Sequence, residues 1–152
     1  MSVTRALYID GEWVETDDSI ENINPSDTTE SVGRYAQATP ELADHAIASA
    51  NRAAKEWGQS PMETRYQMLM AIGTELIDRS AELGELLAKE EGKTRAEGVG
   101  EVVRSGQFFH YFAAEVHRQI DDRVDSVRPG IEIETRREPT GVVVVISPWN
   151  FP

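Results

Sequence analysis

An α/β fold is what this sequence predicts, and three observations carry the prediction. Val142 to Ile146 is a run of four valines and an isoleucine, the composition of a parallel strand buried on both faces. Between Thr39 and Ile120, apolar residues recur at helical spacing in four stretches set apart by start and stop signals. Near the N-terminus, two short apolar segments flank Asp10-Gly11, a strong hairpin signal. The expected order is a hairpin, four helices, an extended polar segment and a first buried parallel strand. Such a strand needs paired neighbours and a cover on each face, and no other segment reads that way. The expectation is the front piece of a larger α/β protein, with a function belonging mainly to the whole.

The elements follow in order. Leu7 to Ile9 and Trp13 to Val14 are the hairpin strands, because Asp-Gly favours the type I′ turn with positive φ at both central residues. Asn24-Pro25-Ser26-Asp27 is a turn, and Ser31 to Gln37 a third short strand. Thr39 reads as an N-cap, with Pro40 at the first helical position and Glu41 at the positive end of the dipole. Leu42, Ala46, Ile47, Ala50, Ala53, Ala54 and Trp57 form its apolar stripe, and Gly58 its stop. Ser60 and Glu63, at capping-box spacing, start a second helix with a stripe at Tyr66, Leu69, Ile72, Gly73, Leu76 and Ile77. Leu83, Leu86 and Leu87 mark a third helix that ends near Gly92. Thr94 and Glu97 form another capping box, opening a long amphipathic helix from Val99 through Val102, Gly106, Phe109, Ala113 and Val116 to Ile120. Gly98, Gly100 and Gly106 each lower its propensity by about 1 kcal/mol, so close helix packing is expected to compensate. The arginine-rich stretch from Asp121 to Pro139 is extended, with Ile131 and Ile133 alternating against Glu132 and Glu134. Turns at Pro129-Gly130 and Glu138-Pro139-Thr140-Gly141 deliver the chain into Val142.

Composition excludes several classes. With 152 residues and 39% hydrophobic content, the chain suits one folded domain. It has no cysteine, hence no disulfide framework and no thiolate chemistry within these residues. A net charge of −12, from 27 acidic and 15 basic residues, argues against nucleic acid and anionic membranes. The N-terminus lacks an apolar signal core and no run reaches membrane-spanning length; a soluble, cytoplasmic protein is expected. The only lysines are Lys55, Lys89 and Lys93. An acidic, lysine-poor surface is what a protein of high-salt surroundings would carry, since salt screens its self-repulsion.

Most chemical candidates are outweighed by ordinary readings. His110 and His117 are seven residues apart, whereas helical metal pairs prefer three or four, so packing or surface roles are expected and no metal site. Glu90-Glu91 and Asp121-Asp122 read as solvated faces, because adjacent helical residues do not face each other. Phe108, Phe109, Tyr111 and Phe112 read as core or helix packing. Arg136-Arg137 reads as a pairing with Glu134 or Glu138. Neither GxGxxG nor a P-loop occurs. Ser147 to Asn150 differs, because ligands in open α/β sheets sit just beyond the carboxyl ends of strands. The Asn150 amide can donate to a developing oxyanion, with the flanking prolines holding it still. On physical grounds alone the plainer reading weighs more: Asn and Pro are turn residues, and Trp149 fits a core.

The string ISPWNFP after a four-valine strand resembles the signature of the NAD(P)-dependent aldehyde dehydrogenase superfamily. LYIDGEWVE is similar to the opening hairpin of these enzymes, and INPSDTTESVG to the Asn-Pro turn and strand that follow. The helices from Thr39 to Ile120, including EEGKTRAEGVGEV, resemble the part preceding the cofactor sheet. The resemblance implies residues 1–121 as hairpin and helical part, 122–139 as an oligomerisation segment, and 140–152 as the start of the dinucleotide-binding sheet. It implies Asn150 as the oxyanion-stabilising catalytic residue, and Ile146, Ser147, Pro148 and Trp149 as lining the NAD or NADP site, partly through backbone atoms. It also implies an aldehyde substrate, oxidised to a carboxylic acid, and a homo-oligomer formed through 122–139. The overall pattern is most like the semialdehyde and ketoglutarate-semialdehyde branch. Tyr111 and Phe112 lie on a helix that borders the substrate funnel in relatives, with core packing the stronger reading. The family's cysteine nucleophile, glutamate, cofactor lysine and glycine-rich turn fall further along than these residues, so this piece is expected to be inactive alone. The rival expectations are a non-catalytic truncated relative serving as an oligomerisation or interaction module, and a truncated product without function.

Overall fold

The computed structural model describes residues 4–118 and 121–151. Two short strands, β2 (Leu7–Ile9) and β3 (Glu12–Val14), pair antiparallel across Asp10-Gly11. Both turn residues have positive φ, 57° at Asp10 and 82° at Gly11, as the dipeptide predicts. The Asp10 carboxylate then receives hydrogen bonds from Ser49 Oγ at 2.6 Å and Arg52 at 2.8 Å, tying the hairpin to the first helix.

A separate three-stranded sheet has the order β1-β5-β4. In it β1 (Thr4–Arg5) runs parallel, and β4 (Ser19–Ile23) antiparallel, to β5 (Ser31–Ala36). The strand expected at Ser31 is present. Its partner β4 was not legible, because Glu21 and Asn22 interrupt its alternation and the ladder supplies what local pattern does not.

Helix α1 (Pro40–Gly58) starts on Thr39, whose hydroxyl accepts the Leu42 N–H. Helix α2 (Met62–Asp78) departs from expectation at its start. Ser60 does not form a capping box with Glu63; its Oγ donates to the Trp57 carbonyl at 2.6 Å, closing α1 instead. Pro61 occupies the cap position of α2 with no side-chain bond. Helix α3 (Ser80–Glu91) ends on Gly92 in the left-handed region. Helix α4 (Arg95–Val116) opens with the expected box: Thr94 accepts the Glu97 N–H and the Glu97 carboxylate accepts the Thr94 N–H. The last expected stripe residue, Ile120, lies outside the described residues.

Helix α4 packs on α2 and α3, and the contact is made by glycine. A Cβ on Gly98 would stand 2.3 Å from the Gly84 carbonyl oxygen, and one on Gly84 would stand 2.5 Å from the Val99 backbone. A second reciprocal pair, Gly73 of α2 and Gly106 of α4, would meet the opposite carbonyl oxygens at 2.8 and 2.7 Å. Close packing therefore does compensate for Gly98 and Gly106. It does not for Gly100, which has nothing within 4 Å. Val102 and Ala113 of α4 are buried at this interface, whereas Phe108, Tyr111 and Phe112 are exposed. The core-packing expectation fails for these three aromatics because no described element covers their face of α4.

Beyond α4, β6 (Arg123–Asp125) and β7 (Glu132–Glu134) form an exposed antiparallel ribbon. Arg136 pairs with Glu134 at 3.2 Å, as expected. The final element stands without the partner strands that its composition calls for, as expected from the lack of any other segment of its kind. Val142 to Ile146 joins no ladder among the described residues, and Val145 and Ile146 are 82% and 87% exposed. Composition marks this stretch for burial between partner strands, but no described strand of this chain lies beside it.

Candidate functional site

The segment singled out by sequence meets Lys93, which follows the end of α3 on which the Asn24-Pro25 turn sits. Asn24 is buried, its Oδ1 accepting the Ser26 N–H at 2.9 Å and its Nδ2 donating to Glu30 at 2.8 Å. Glu30 also accepts from Lys89 of α3 at 2.7 Å. Lys89, then Asn24, hold the Glu30 carboxyl below its ordinary range. The turn thereby sits on the end of α3, with the Pro25 ring where a Cβ on Gly92 would approach to 2.9 Å. Glycine at 92 serves two needs, a φ of 82° and a proline against its α-carbon.

Gly92 is followed by Lys93 and then by Thr94, the cap of α4. The side chains of Lys93 and Glu101 are each 15% exposed, and that of Glu91 is 9% exposed. Lys93 Nζ donates a short hydrogen bond to Glu101 and lies 2.6 Å from Glu91 Oε2. That Glu91 oxygen has no well-directed hydrogen bond, so the second contact is an ion pair. Glu101 first, then Glu91, raise the Lys93 ammonium above its ordinary pKa, keeping it charged. The expectation that Glu91 belongs to a solvated face is therefore corrected. Its neighbour Glu90 points the other way and accepts from Asn22 of β4 at 2.8 Å.

From this cluster Nζ reaches the last residues of the chain. It is 3.4 Å from the Asn150 carbonyl oxygen and 5.0 Å from the centre of the Phe151 ring. A weak turn, Phe151 N–H to the Pro148 carbonyl at 3.4 Å, bends the segment. Ile146, Ser147, Pro148, Trp149 and Asn150 are all exposed. Phe151 forms one wall of an open groove of about 600 Å³ whose other walls are Lys93, Glu97, Glu101, Arg104, Ser105 and Phe108.

The five sequence-predicted site residues thus stand as one continuous exposed strip. They bring an amide donor, at Asn150, beside apolar surface and main-chain groups that no ladder occupies. The strip has no glycine-rich cradle for phosphates. The histidines stand elsewhere. His110 packs on Gly73 and lies 3.2 Å from Thr74 Oγ1, while the His117 ring lies tilted against Tyr66 with ring centres 4.6 Å apart. Among the described residues no three histidine or carboxylate side chains converge as a metal site, and no helix is long and apolar enough to cross a membrane.

Sequence reading missed Lys93, Glu91 and Glu101. A signal existed: a lone lysine between a left-handed helix stop and a helix cap, in a chain with three lysines, has its backbone fixed on both sides.

Residues 13–152 match the model of the aldehyde dehydrogenase family. The α-ketoglutarate semialdehyde dehydrogenase of Haloferax volcanii is 38% identical over 147 residues, covering 95% of this chain and 30% of that protein. The 1-pyrroline-5-carboxylate dehydrogenase of Anoxybacillus flavithermus is 40% identical over 149 residues, covering 96% and 28%. Among solved structures, betaine aldehyde dehydrogenase from Staphylococcus aureus in complex with NAD+ superposes with a TM-score of 0.90 at 34% identity, covering 97% of this chain and 30% of that one. The chain therefore spans about 30% of the length of the curated relatives it matches.

Proposed function

Because this chain belongs to the aldehyde dehydrogenase family, we propose that it is the N-terminal portion of an NAD(P)-dependent oxidoreductase that converts an aldehyde to a carboxylic acid. The observation that carries this reading is the match along residues 13–152, which runs into an exposed Asn150 held beside a charged lysine. In this reading the Asn150 amide donates to the oxygen of the aldehyde as negative charge develops there. Ile146, Ser147, Pro148 and Trp149 line the dinucleotide, which supplies hydride acceptance when bound. The nucleophile is not among these 152 residues, which contain no cysteine, so the chain alone is inactive. Residues 122–139 form the oligomerisation ribbon of a homo-oligomer and 140–152 open the dinucleotide-binding sheet. The Haloferax and Anoxybacillus relatives support a semialdehyde or related carboxylate-bearing substrate. A cytoplasmic setting fits the family.

Mixing this chain with a separately produced catalytic remainder of a relative tests the reading. Reduction of NAD(P)+ by the mixture, and by neither piece alone, is the expected result. Stable co-purification without turnover would instead favour the interaction-module reading, which the exposed Val143 to Ile146 edge also supports. No association at all would sink both.

The net charge of −12 and the Haloferax relative support adaptation to high salt. Helical circular dichroism is expected to rise with salt concentration; a full helical signal in dilute buffer would contradict this.

A further inference from the structure

The segment that carries Asn150 has no ladder of its own among the described residues, yet its carbonyl and the next ring both meet one ammonium group. Lys93 Nζ, 3.4 Å from the Asn150 oxygen and 5.0 Å from the Phe151 ring centre, is itself fixed by carboxylates from two helices. Glu91 ends α3 and Glu101 lies two turns into α4, so the ammonium is referenced to both helices at once. Its stem starts between Gly92 and Thr94, each held by a helix terminus. One donor direction is used on Glu101 and the ion pair faces Glu91, leaving the third for the Asn150 carbonyl.

We infer that Lys93, clamped by Glu91 and Glu101, is a positioning residue that fixes the main chain of Asn150 and thereby aims its side-chain amide. The carbonyl and the side chain of Asn150 share one α-carbon. The two contacts restrain the main chain at the Asn150 carbonyl and at the next residue, beside the α-carbon that carries the amide. A neutral side chain of the same length would keep the packing and lose both the charge-assisted bond and the cation–π contact. Arginine would keep both contacts with a different shape. The catalytic meaning of this clamp rests on the reading of Asn150 as the oxyanion donor.

Lys93→Met alone leaves two enclosed carboxylates facing each other and is a poor probe of anything but folding. The double variant Lys93→Met/Glu101→Gln keeps the net charge of the cluster unchanged and is the informative one. In the 152-residue chain, NMR reads the clamp without any activity. The Lys93 side-chain protons are expected upfield of ordinary lysine through the Phe151 ring, and Phe151→Leu is expected to abolish that shift. In the double variant the Asn150 and Phe151 amides are expected to move and become more mobile on the fast timescale, with α3 and α4 unchanged. In the mixture with a catalytic remainder, the double variant is expected to lose about 100-fold in kcat at nearly constant aldehyde KM, and Lys93→Arg to recover most of it. Unaltered Asn150 and Phe151 amides, or a full kcat in the double variant, would overturn the inference. Failure of the parent reading looks different: the mixture with the unmodified chain is then inactive, while the amide shifts still decide whether Lys93 orders Asn150.

Discussion

Gly98→Ala is expected to destabilise the helical body by about 2 kcal/mol or more, whereas Gly100→Ala, two residues along the same helix, stabilises it by about 1 kcal/mol. The two substitutions are similar in local terms: both replace a glycine within the first two turns of α4 with the best helix former. They differ in what the new methyl meets. At Gly98 it meets the Gly84 carbonyl at 2.3 Å, which is backbone of another helix and can retreat only if the whole crossing opens. At Gly100 it meets nothing within 4 Å. The opening would also uncover Val102, which is buried at the same interface. Chemical denaturation followed by helical circular dichroism distinguishes the outcomes. Equal effects of the two substitutions would mean that the α3–α4 crossing is not formed as described.

Asn150→Ala is expected to lower kcat by roughly 10²–10³ in the enzyme assembled from this chain and its catalytic remainder. Asn150→Asp is expected to do at least as much harm, since a carboxylate would face the developing negative charge. The aldehyde KM should change little, because the donor acts on charge that appears only after the substrate is bound. Asn150 is exposed and Lys93 holds its main-chain oxygen rather than its side chain, so neither substitution removes that clamp contact. The stability of this chain should therefore be unaffected, and an activity loss can be read as catalytic. An unchanged kcat would remove Asn150 from the chemistry.

What the sequence made legible was what neighbouring residues decide between themselves. The Asp10-Gly11 turn, the Thr39 cap, the Thr94–Glu97 box and the Gly92 stop are all settled within four residues, and each is found as expected. The failures share the opposite property. Strand β4 exists because of β5, a pairing across the Asn24 turn that its interrupted alternation did not advertise. Ser60 had two local uses, and the choice fell to the carbonyls closing α1. Glu91 looked solvated because its partners are Lys93, two residues on, and an enclosure made by α4. The site was legible as a string at Ile146 to Asn150. Its support was not, because Lys93 meets Asn150 across 57 positions. The valine run was legible in composition and in state: its apolar character demands neighbours that no other segment offered, and none is found among the described residues.

The paired glycines also act as a mechanical key. Gly98 and Gly106 are eight residues apart, about 12 Å along the axis of α4, and each seats against a different helix. Sliding α4 by a single residue would push a side chain into both notches at once. Rotation about its axis is blocked in the same way. Two notches on two shafts therefore index α4 in translation and in rotation, leaving one permitted setting. Glu101 lies between the notches, so the carboxylate that Lys93 reaches is presented at a height and angle machined by residues that have no side chains.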